Sequence, residues 1–441
     1  EDRWGRVAIM PQILIYYEHK AREYQYCHAL KYELKRRGYT VGICHLQNRH
    51  TWLYKIFSKP KVVLCGSVSK AYVIGDFDYF EDRCDFLRGR APFYINLQIE
   101  QLFRDEQAHY NIVLDDDVQE RVFNICWGPR RKKQMLSQGV SSEQIFVTGA
   151  MHLDFLRPEF FSLYFTKKEM AKQYRIPEDK RWVLYISSYT YVSAPPEKMK
   201  SWFRHIVKAD PDFQWEDMVL RKTSSVQSQN TTLDWIDRYL VDNDDIFIYR
   251  PHPGERITEE MDILRKTYPG RFLWLKEGSV QQWIAVCDVI NNWISTAVVE
   301  AYVAKKPVNI VQPVEVPKDL LPIILDDCQK IRTYEEFAVA QQKETVFSEE
   351  TFPVNRELLH DYYLIDDNFA YLRVCDLIEE VYRKPAPDVG KSKFTIRTIF
   401  EKWFLFRAYR SFYAVTRIKL SRIIPFKRKG IKNRELEVDI G

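Results

Sequence analysis

The segment IFIYRPHPGE, residues 246–255, begins as an apolar strand and ends in a turn that carries cationic, imidazole and acidic groups. The segment SVQQWIAVCDVINNWISTAVVEAYVAKKPV follows at 279–308, and its pattern predicts a helix, a short strand at 289–293, and a second helix opened by Ser295 and Thr296. In an open α/β sheet the carboxyl ends of neighbouring strands border one crevice, where ligands bind. We therefore expect the polar groups that follow these two strands to lie at one site.

The residue types at these strand ends suit a phosphate group. Arg250 and His252 alternate with prolines and can point to one side of the chain, where they would bind phosphate charge. The hydroxyls of Ser295 and Thr296, with the free N–H groups of a helix start, would bind the same phosphate, and Glu300 would accept hydrogen bonds from a ribose diol. The alternative is structural: a histidine bonded within its turn, hydroxyls that cap the helix, and a solvent-facing glutamate.

Apolar strands and amphipathic helices alternate through the rest of the chain, as is typical of α/β proteins. A strand at 12–17, a helix at 22–37 and a strand at 40–44 predict a parallel βαβ start without the GxGxxG of dinucleotide sites. Because 441 residues exceed the size of one core, we expect two Rossmann-like, doubly wound domains, 1–160 and 161–385, facing a cleft. Further strands are predicted at 61–65, 93–97, 121–125, 145–148, 182–187, 246–249, 272–275, 289–293 and 308–311, and further helices at 231–242 and 366–382.

Residues 386–441 differ in composition from the rest of the chain. The stretch 391–430 contains 12 Lys or Arg and one acid, Glu401, which gives it a net charge of +11 within a chain of net +5. Aromatic and basic residues recur there at helical spacing, which predicts basic amphipathic helices that lie in the interface of a membrane. The alternative is a helix that packs on the body of the protein through its aromatic side chains.

Charge and cysteine usage exclude some classes of function. Without 391–430 the chain has a net charge of −6, which argues against non-specific nucleic-acid binding. The eight cysteines are scattered, with no CxxC pair, which indicates buried thiols in a reducing cytosol. There is no signal-peptide pattern, and no apolar run approaches the ~18 residues that span a bilayer. We expect a cytoplasmic protein.

An acid at the end of the first strand is the candidate general base. Glu18 would face the cleft there and take a proton from an acceptor hydroxyl. The alternative is an acid at a helix start that pairs with Arg22. Glu23, Ser67 and Glu100 are predicted to lie along the same edge and are weaker candidates.

Metal-binding residues do not form a convincing set in the sequence. Residues 115–117 are three aspartates, but they precede a predicted helix, where carboxylates interact favourably with the helix dipole. No DxD motif follows a strand. We expect that no metal and no other cofactor is required.

Four segments carry a resemblance to a known family. They are YEHKARE at 17–23, WGPRRKKQMLSQGVSSEQIFVTGAMHLDFL at 127–156, YRPHPGE at 249–255 and SVQQWIAVCDVINNWISTAVVEA at 279–301. In this layout the chain resembles GT-B glycosyltransferases that build bacterial surface polysaccharides. Its His-Pro and Ser-Thr pairs are similar to those of transferases that use CMP-Kdo or CMP-sialic acid, and to those of CDP-glycerol glycerophosphotransferases.

The resemblance implies roles for individual residues. It assigns His252, Ser295 and Thr296 to the phosphate of a cytidine nucleotide, and it makes Arg250 and Glu300 donor contacts. Glu18 matches the acid that such families use as a base in the first domain. The acidic-acidic-Gly pattern of sialyltransferases is absent from this sequence.

The resemblance also implies a function. The chain would be a metal-independent glycosyltransferase that moves a sugar, Kdo-like by preference, from a cytidine nucleotide to a lipid-linked capsule, O-antigen or lipopolysaccharide glycan. It would act at the inner face of the cytoplasmic membrane, held there by its tail. Two alternatives are a CDP-polyol phosphotransferase of the teichoic-acid type and a non-catalytic, membrane-bound assembly partner.

Overall fold

The computed structural model describes residues 11–18, 20–45, 60–66, 92–101, 121–207, 210–342 and 346–385. Within these ranges the strands form two sheets, and every strand pair is parallel. The two sheets confirm the predicted α/β fold with two Rossmann-like domains. The first sheet contains β1 Ile13–Tyr17, β2 Val41–His45, β3 Val62–Cys65, β4 Phe93–Asn96, β5 Val122–Cys126 and β6 Ile145–Val147, and the second contains β7 Trp182–Ile186, β8 Ile246–Arg250, β9 Phe272–Trp274, β10 Val289–Asn292 and β11 Asn309–Ile310.

The strand order of each sheet reverses once. The first sheet has the order β2-β1-β3-β4-β5-β6, and the second has the order β11-β10-β7-β8-β9. Helices on both faces bury such strands completely, which is why ILIYY and VVLC read as unbroken apolar runs. Ligands bind outside the carboxyl ends of strands at the reversal points, here β1/β3 and β7/β10.

The helices connect these strands. The chain contains α1 Lys20–Arg36, α2 Pro129–Ser137, α3 Met151–Asp154, α4 Lys167–Tyr174, α5 Pro196–Ile206, α6 Trp215–Asp242, α7 Glu259–Thr267, α8 Val280–Val286, α9 Ala297–Val303, α10 Tyr334–Gln342, α11 Arg356–Tyr363 and α12 Ala370–Arg383. Local sequence explains several ends: α4 begins with a capping box between Thr166 and Glu169, and α1 is followed by Gly38 at φ +93°.

Helix α6 is longer than the sequence predicts, since it begins at Trp215 and not near residue 231. Its middle, TSSVQSQNTT at 223–232, is rich in Ser, Thr and Asn, which compete for backbone hydrogen bonds and are poorer helix formers. The hydroxyl of Ser225 donates to the carbonyl of Arg221 at 2.7 Å, and Ser224 donates to Leu220 at 2.9 Å. These back-bonds satisfy the hydroxyls of Ser224 and Ser225 within the helix. The helix itself is stabilised by the apolar side chains that it buries, among them Met218 and Trp235.

The last helix, α12, packs on the first sheet. It lies within the residues predicted for the second domain, yet its apolar side chains join the core formed by β1, β3, β4 and α1. Arg37 of α1 donates to Asp376 at 2.6 Å and to Glu379 at 2.7 Å, both on α12. The chain therefore returns to the first sheet after completing the second, while the boundaries at 160 and 385 stay predictions.

Several predicted features lie outside the described residues. They are Ser67, the aspartates at 115–117 and the basic tail from 386 onward. Helix α1 includes Arg22, whose side chain is not described. In the described part of the chain, no helix combines the length and the apolar character needed to cross a bilayer.

Candidate functional site at the carboxyl ends of the two sheets

The turn after β8 presents His252 at the carboxyl edge of the second sheet. Glu255 N–H donates to the carbonyl of His252 at 2.8 Å, and Gly254 N–H donates to its Nδ1 at 3.1 Å. A ring nitrogen that accepts a hydrogen bond carries no proton, so this contact favours the tautomer of His252 with its proton on Nε2. The side chain is exposed. His252 therefore offers a donor at the edge where the sequence predicts a phosphate.

Arg250, the last residue of β8, is engaged with the neighbouring loop. Its guanidinium donates to the carbonyls of Leu275, Glu277 and Gly278, at 3.0, 2.7 and 2.5 Å respectively. Burial lowers the pKa of Arg250. The arginine fastens the loop after β9 to the end of β8, and its predicted contact with a donor stays a prediction.

The residues after β10 present two hydroxyls. Asn292 donates from Nδ2 to the carbonyl of Ser295 at 3.0 Å, and Ser295 Oγ accepts the N–H of Ala297 at 3.3 Å. Thr296 is exposed, and its hydroxyl does not cap α9. Because α9 has only seven residues, its dipole offers little to an anion, and the side-chain hydroxyls are the relevant donors.

These groups lie within reach of one ligand. The ends of β8 and β10 flank the end of β7, and neighbouring strands are about 4.8 Å apart, so the two turns are separated by roughly 10 Å. His252 and Thr296 are both exposed and belong to the turns on the two sides of that gap. Phosphate binding by His252 and Thr296 stays a prediction.

Glu300 lies in the first turn of α9 in a poorly solvated environment. Gln281 donates from Nε2 to its Oε1 at 3.2 Å. Burial raises the pKa of Glu300 to about 7. Burial also raises the pKa of Tyr363, and the nearby carboxylate of Glu300 raises it further. The carboxyl group of Glu300 is therefore close to half-ionised at neutral pH, and its predicted contact with a ribose stays a prediction.

The carboxyl edges of the two sheets meet at this point. Helix α3, which follows β6 of the first sheet, contacts both α1 and α9. Burial raises the pKa of Tyr164, and the carboxylate of Glu300 raises it further. Trp127, at the end of β5, stacks on Tyr363 of α11 with ring centroids 5.6 Å apart. The start of α1 and the start of α9 thus border one cleft.

On the first sheet, the predicted base and its neighbour differ in burial. Glu18 follows β1 and is exposed, whereas Glu23 is 1% exposed. The N–H of Glu18 donates to Glu23 Oε2 at 2.9 Å, and the Glu18 carbonyl lies 3.0 Å from Nε2 of His45. Glu100 is exposed after β4. The structure therefore places Glu18, Glu23 and Glu100 at one edge, with the backbone of Glu18 held by Glu23.

Buried polar residues were missed by sequence reasoning. Asn96 and Gln98, at and just after the end of β4, bond to Asn124 in the middle of β5, and Gln98 has a left-handed backbone at φ +45°. Arg131 donates to Gln98 Oε1 at 3.1 Å, and burial lowers its pKa to about 10. Hydropathy patterns treat such residues as surface, and the one available signal was their position directly after strands.

No metal site is evident where the structure describes side chains: no three His, Cys, Asp or Glu residues there could hold an ion together. The expectation that no metal is required stays untested. The chemistry available from the described residues is hydrogen bonding and proton transfer.

Comparison with known proteins gives distant structural similarities. No protein-family model and no curated protein matches the sequence. A UDP co-structure of MnaA from S. aureus is 14% identical, covers 86% of this chain and 100% of its own, and has a TM-score of 0.44. A putative UDP-N-acetylglucosamine 2-epimerase from Listeria monocytogenes is 10% identical, covers 87% of this chain and 99% of its own, and has a TM-score of 0.48. The wall teichoic acid polymerase TagF is 11% identical, covers 85% of this chain and 90% of its own, and has a TM-score of 0.48.

Proposed function

We propose that the chain is a glycosyltransferase that moves a sugar, Kdo-like by preference, from a cytidine nucleotide to a lipid-linked surface glycan, without a metal ion. The observation that supports the proposal is that the two carboxyl edges lie together: α3, which follows β6, contacts α9, and Trp127, which follows β5, stacks on Tyr363. A transferase must hold two substrates against each other, and effective catalysis requires that they be oriented within one site. Residues 391–430 would hold the enzyme at the inner face of the membrane.

The second sheet would bind the donor. The Nε2–H of His252 would donate to a phosphate oxygen, with the hydroxyls of Ser295 and Thr296 bonding from the other side of β7. These bonds strengthen as negative charge develops on the departing phosphate, which is the condition for lowering the barrier. Glu300 would accept hydrogen bonds from the ribose hydroxyls. Arg250 would act on the donor through the loop after β9, which its guanidinium holds in place.

The first sheet would bind the acceptor. Glu18 is exposed at the edge and its carboxylate would take the proton from the acceptor hydroxyl as the sugar is transferred. Arg22, Glu23, Ser67 and Glu100 would line the acceptor side. The new bond forms between the acceptor oxygen and the sugar carbon, while the bond from that carbon to the phosphate breaks.

The experiment that tests the proposal is a comparison of donors by thermal stabilisation of the purified protein. We expect CMP-Kdo to raise the unfolding temperature more than CMP-sialic acid, CDP-glycerol and UDP-sugars, because a ligand stabilises the state that binds it. A larger shift with CDP-glycerol would instead support transfer of a polyol phosphate. No shift with any nucleotide would contradict a catalytic function.

His252→Ala should weaken nucleotide binding by about 1.5–3 kcal/mol, the usual value of a hydrogen bond to a charged group. Because the side chain is exposed, the fold should remain intact. Calorimetric titration with CMP measures the affinity, and urea unfolding measures the stability. His360→Ala, an exposed histidine on α11, is the control and should change neither. Unchanged CMP affinity in His252→Ala would remove the residue from the donor site.

Nucleotide affinity should depend on the ionisation of Glu300. Its carboxylate accepts ribose hydrogen bonds, and its pKa is raised to about 7, so affinity should be highest above pH 7 and should fall as the pH drops below it. One proton can change the affinity by at most about tenfold per pH unit. Calorimetry with CMP at several pH values tests this, with Glu300→Gln as comparison, because the nucleotide phosphate titrates equally in both. Identical pH profiles would exclude the contact.

A further inference from the structure

Glu255 is a fully buried carboxylate in the turn that carries His252. It is 0% exposed, and its two oxygens accept three hydrogen bonds. Oε2 accepts from Ser187 Oγ at 2.6 Å and from Tyr189 N–H at 3.1 Å, and Oε1 accepts from Tyr249 Oη at 2.7 Å. An isolated buried carboxylate is strongly unfavourable, so bonds of this kind are what allow the group to remain there.

The same carboxylate connects the ends of two strands. Ser187 and Tyr189 follow β7, and Tyr249 lies in β8. Glu255 follows β8 by five residues, and its side chain returns to the strand end across the turn. The position of the turn relative to the sheet therefore depends on this carboxyl group.

The 252–255 turn also orients the imidazole of His252. The backbone N–H of Glu255 donates to the carbonyl of His252, and Gly254 N–H donates to His252 Nδ1. Lys276 Nζ donates to the carbonyls of Pro253 and Glu255 from the loop after β9. The turn is thus held on one side by the buried carboxylate and on the other by a lysine.

We propose that Glu255 is a positioning residue that, through the 252–255 turn, keeps the proton of His252 on Nε2 and directs it towards the donor. Its role in donor binding rests on the proposed function, whereas its effect on the imidazole does not. The hydrogen bond to Nδ1 selects one tautomer only while the turn keeps its shape. Without the carboxylate, three donors lose their acceptor and the turn loses its attachment to β7.

The state of the His252 ring can be measured without any substrate. Long-range ¹H–¹⁵N correlation spectra distinguish a protonated from an unprotonated ring nitrogen, and His252→Ala assigns the signals. In the parent protein we expect Nδ1 to be unprotonated and Nε2 protonated. In Glu255→Ala the signals should move towards the average of two tautomers. In Glu255→Gln, which has the same shape and retains one acceptor oxygen, most of the parent pattern should return.

A matched control is available at the other end of β8. Asp245 accepts a hydrogen bond from Tyr239 Oη at 2.5 Å, so Asp245→Ala removes a comparable carboxylate without touching the turn. It should leave the His252 signals unchanged. If Glu255→Ala does not fold, Ser187→Ala, which removes the 2.6 Å bond, should shift the same signals in the same direction.

Affinity for CMP is the second readout. Glu255→Ala should lose most of the affinity that His252→Ala loses, about 10–100-fold, and the double variant should lose no more than His252→Ala alone. Parent-like ring signals in a folded Glu255→Ala or Ser187→Ala protein would overturn the proposal and make Glu255 purely structural. If the parent binds no CMP, the proposed function fails, while the ring signals still decide the positioning role.

Discussion

Glu18→Gln should reduce sugar transfer by about 10²–10⁴-fold, which is the usual contribution of a general base. The amide keeps the shape of the side chain but cannot accept the proton of the acceptor hydroxyl. The backbone of Glu18 is held by Glu23 Oε2 at 2.9 Å, a contact that the substitution leaves in place. Donor affinity should remain unchanged, because the donor contacts belong to the second sheet.

Two quantities are measured. The first is turnover with the donor that stabilises the protein best, and the second is the affinity for CMP by calorimetry. Glu143→Gln is the control, since Glu143 is exposed just before β6, at the opposite end of the strands of the first sheet. It should retain turnover within a few-fold of the parent. If Glu18→Gln retains parent-like turnover, the base must be Glu23 or Glu100, and the loss in Glu100→Gln or Glu23→Gln would identify it.

Gly128→Ala should destabilise the protein by about 3 kcal/mol or more, at the upper end of what overpacking costs. An added Cβ would lie 2.3 Å from the carbonyl oxygen of Asp361 and 2.4 Å from the carbonyl carbon of Tyr362. Both atoms are backbone of α11, so no side-chain rotation can relieve the clash. The loop after β5 would have to separate from α11, and the stack of Trp127 on Tyr363 beside it would be lost.

Urea unfolding followed by tryptophan fluorescence measures this change. Gly66→Ala is the control, because its Cβ would meet Glu23 and Ile99 at 3.4 Å, an ordinary contact distance. It should cost far less than Gly128→Ala. Equal stability of the two variants would mean that the loop after β5 is not packed against α11 in solution.

The predicted strands correspond closely to the observed ones, with ends that differ by a few residues. A strand of a parallel sheet is buried on both faces. Its sequence is therefore a short, continuous run of apolar residues, such as ILIYY or IFIYR. The polar residues directly after these runs, His252 and Thr296 among them, were placed at the carboxyl edge for the same reason. Their position follows from chain direction alone.

The neighbours of a side chain, by contrast, are decided by packing between distant segments of the chain. The donor contact of Arg250 stays a prediction, but the bonds of its guanidinium to three carbonyls 25–28 residues away could not be read from the sequence. Glu23 and Glu255 are acids that hydropathy assigns to the surface, yet both are buried. Their burial depends on donors from other strand ends, which no local pattern reveals.

The sequence by itself determined the alternation of strands and helices, the parallel sheets and the set of polar groups at their carboxyl ends. Local periodicity records the strands, the helices and the polar residues that follow each strand, and their regular alternation is typical of parallel sheets. The tertiary structure alone decided that α12 returns to the first sheet, that Trp127 stacks on Tyr363, and that burial raises the pKa of Glu300 to about 7. Desolvation is a property of everything packed around a group, and those atoms come from segments more than a hundred residues apart.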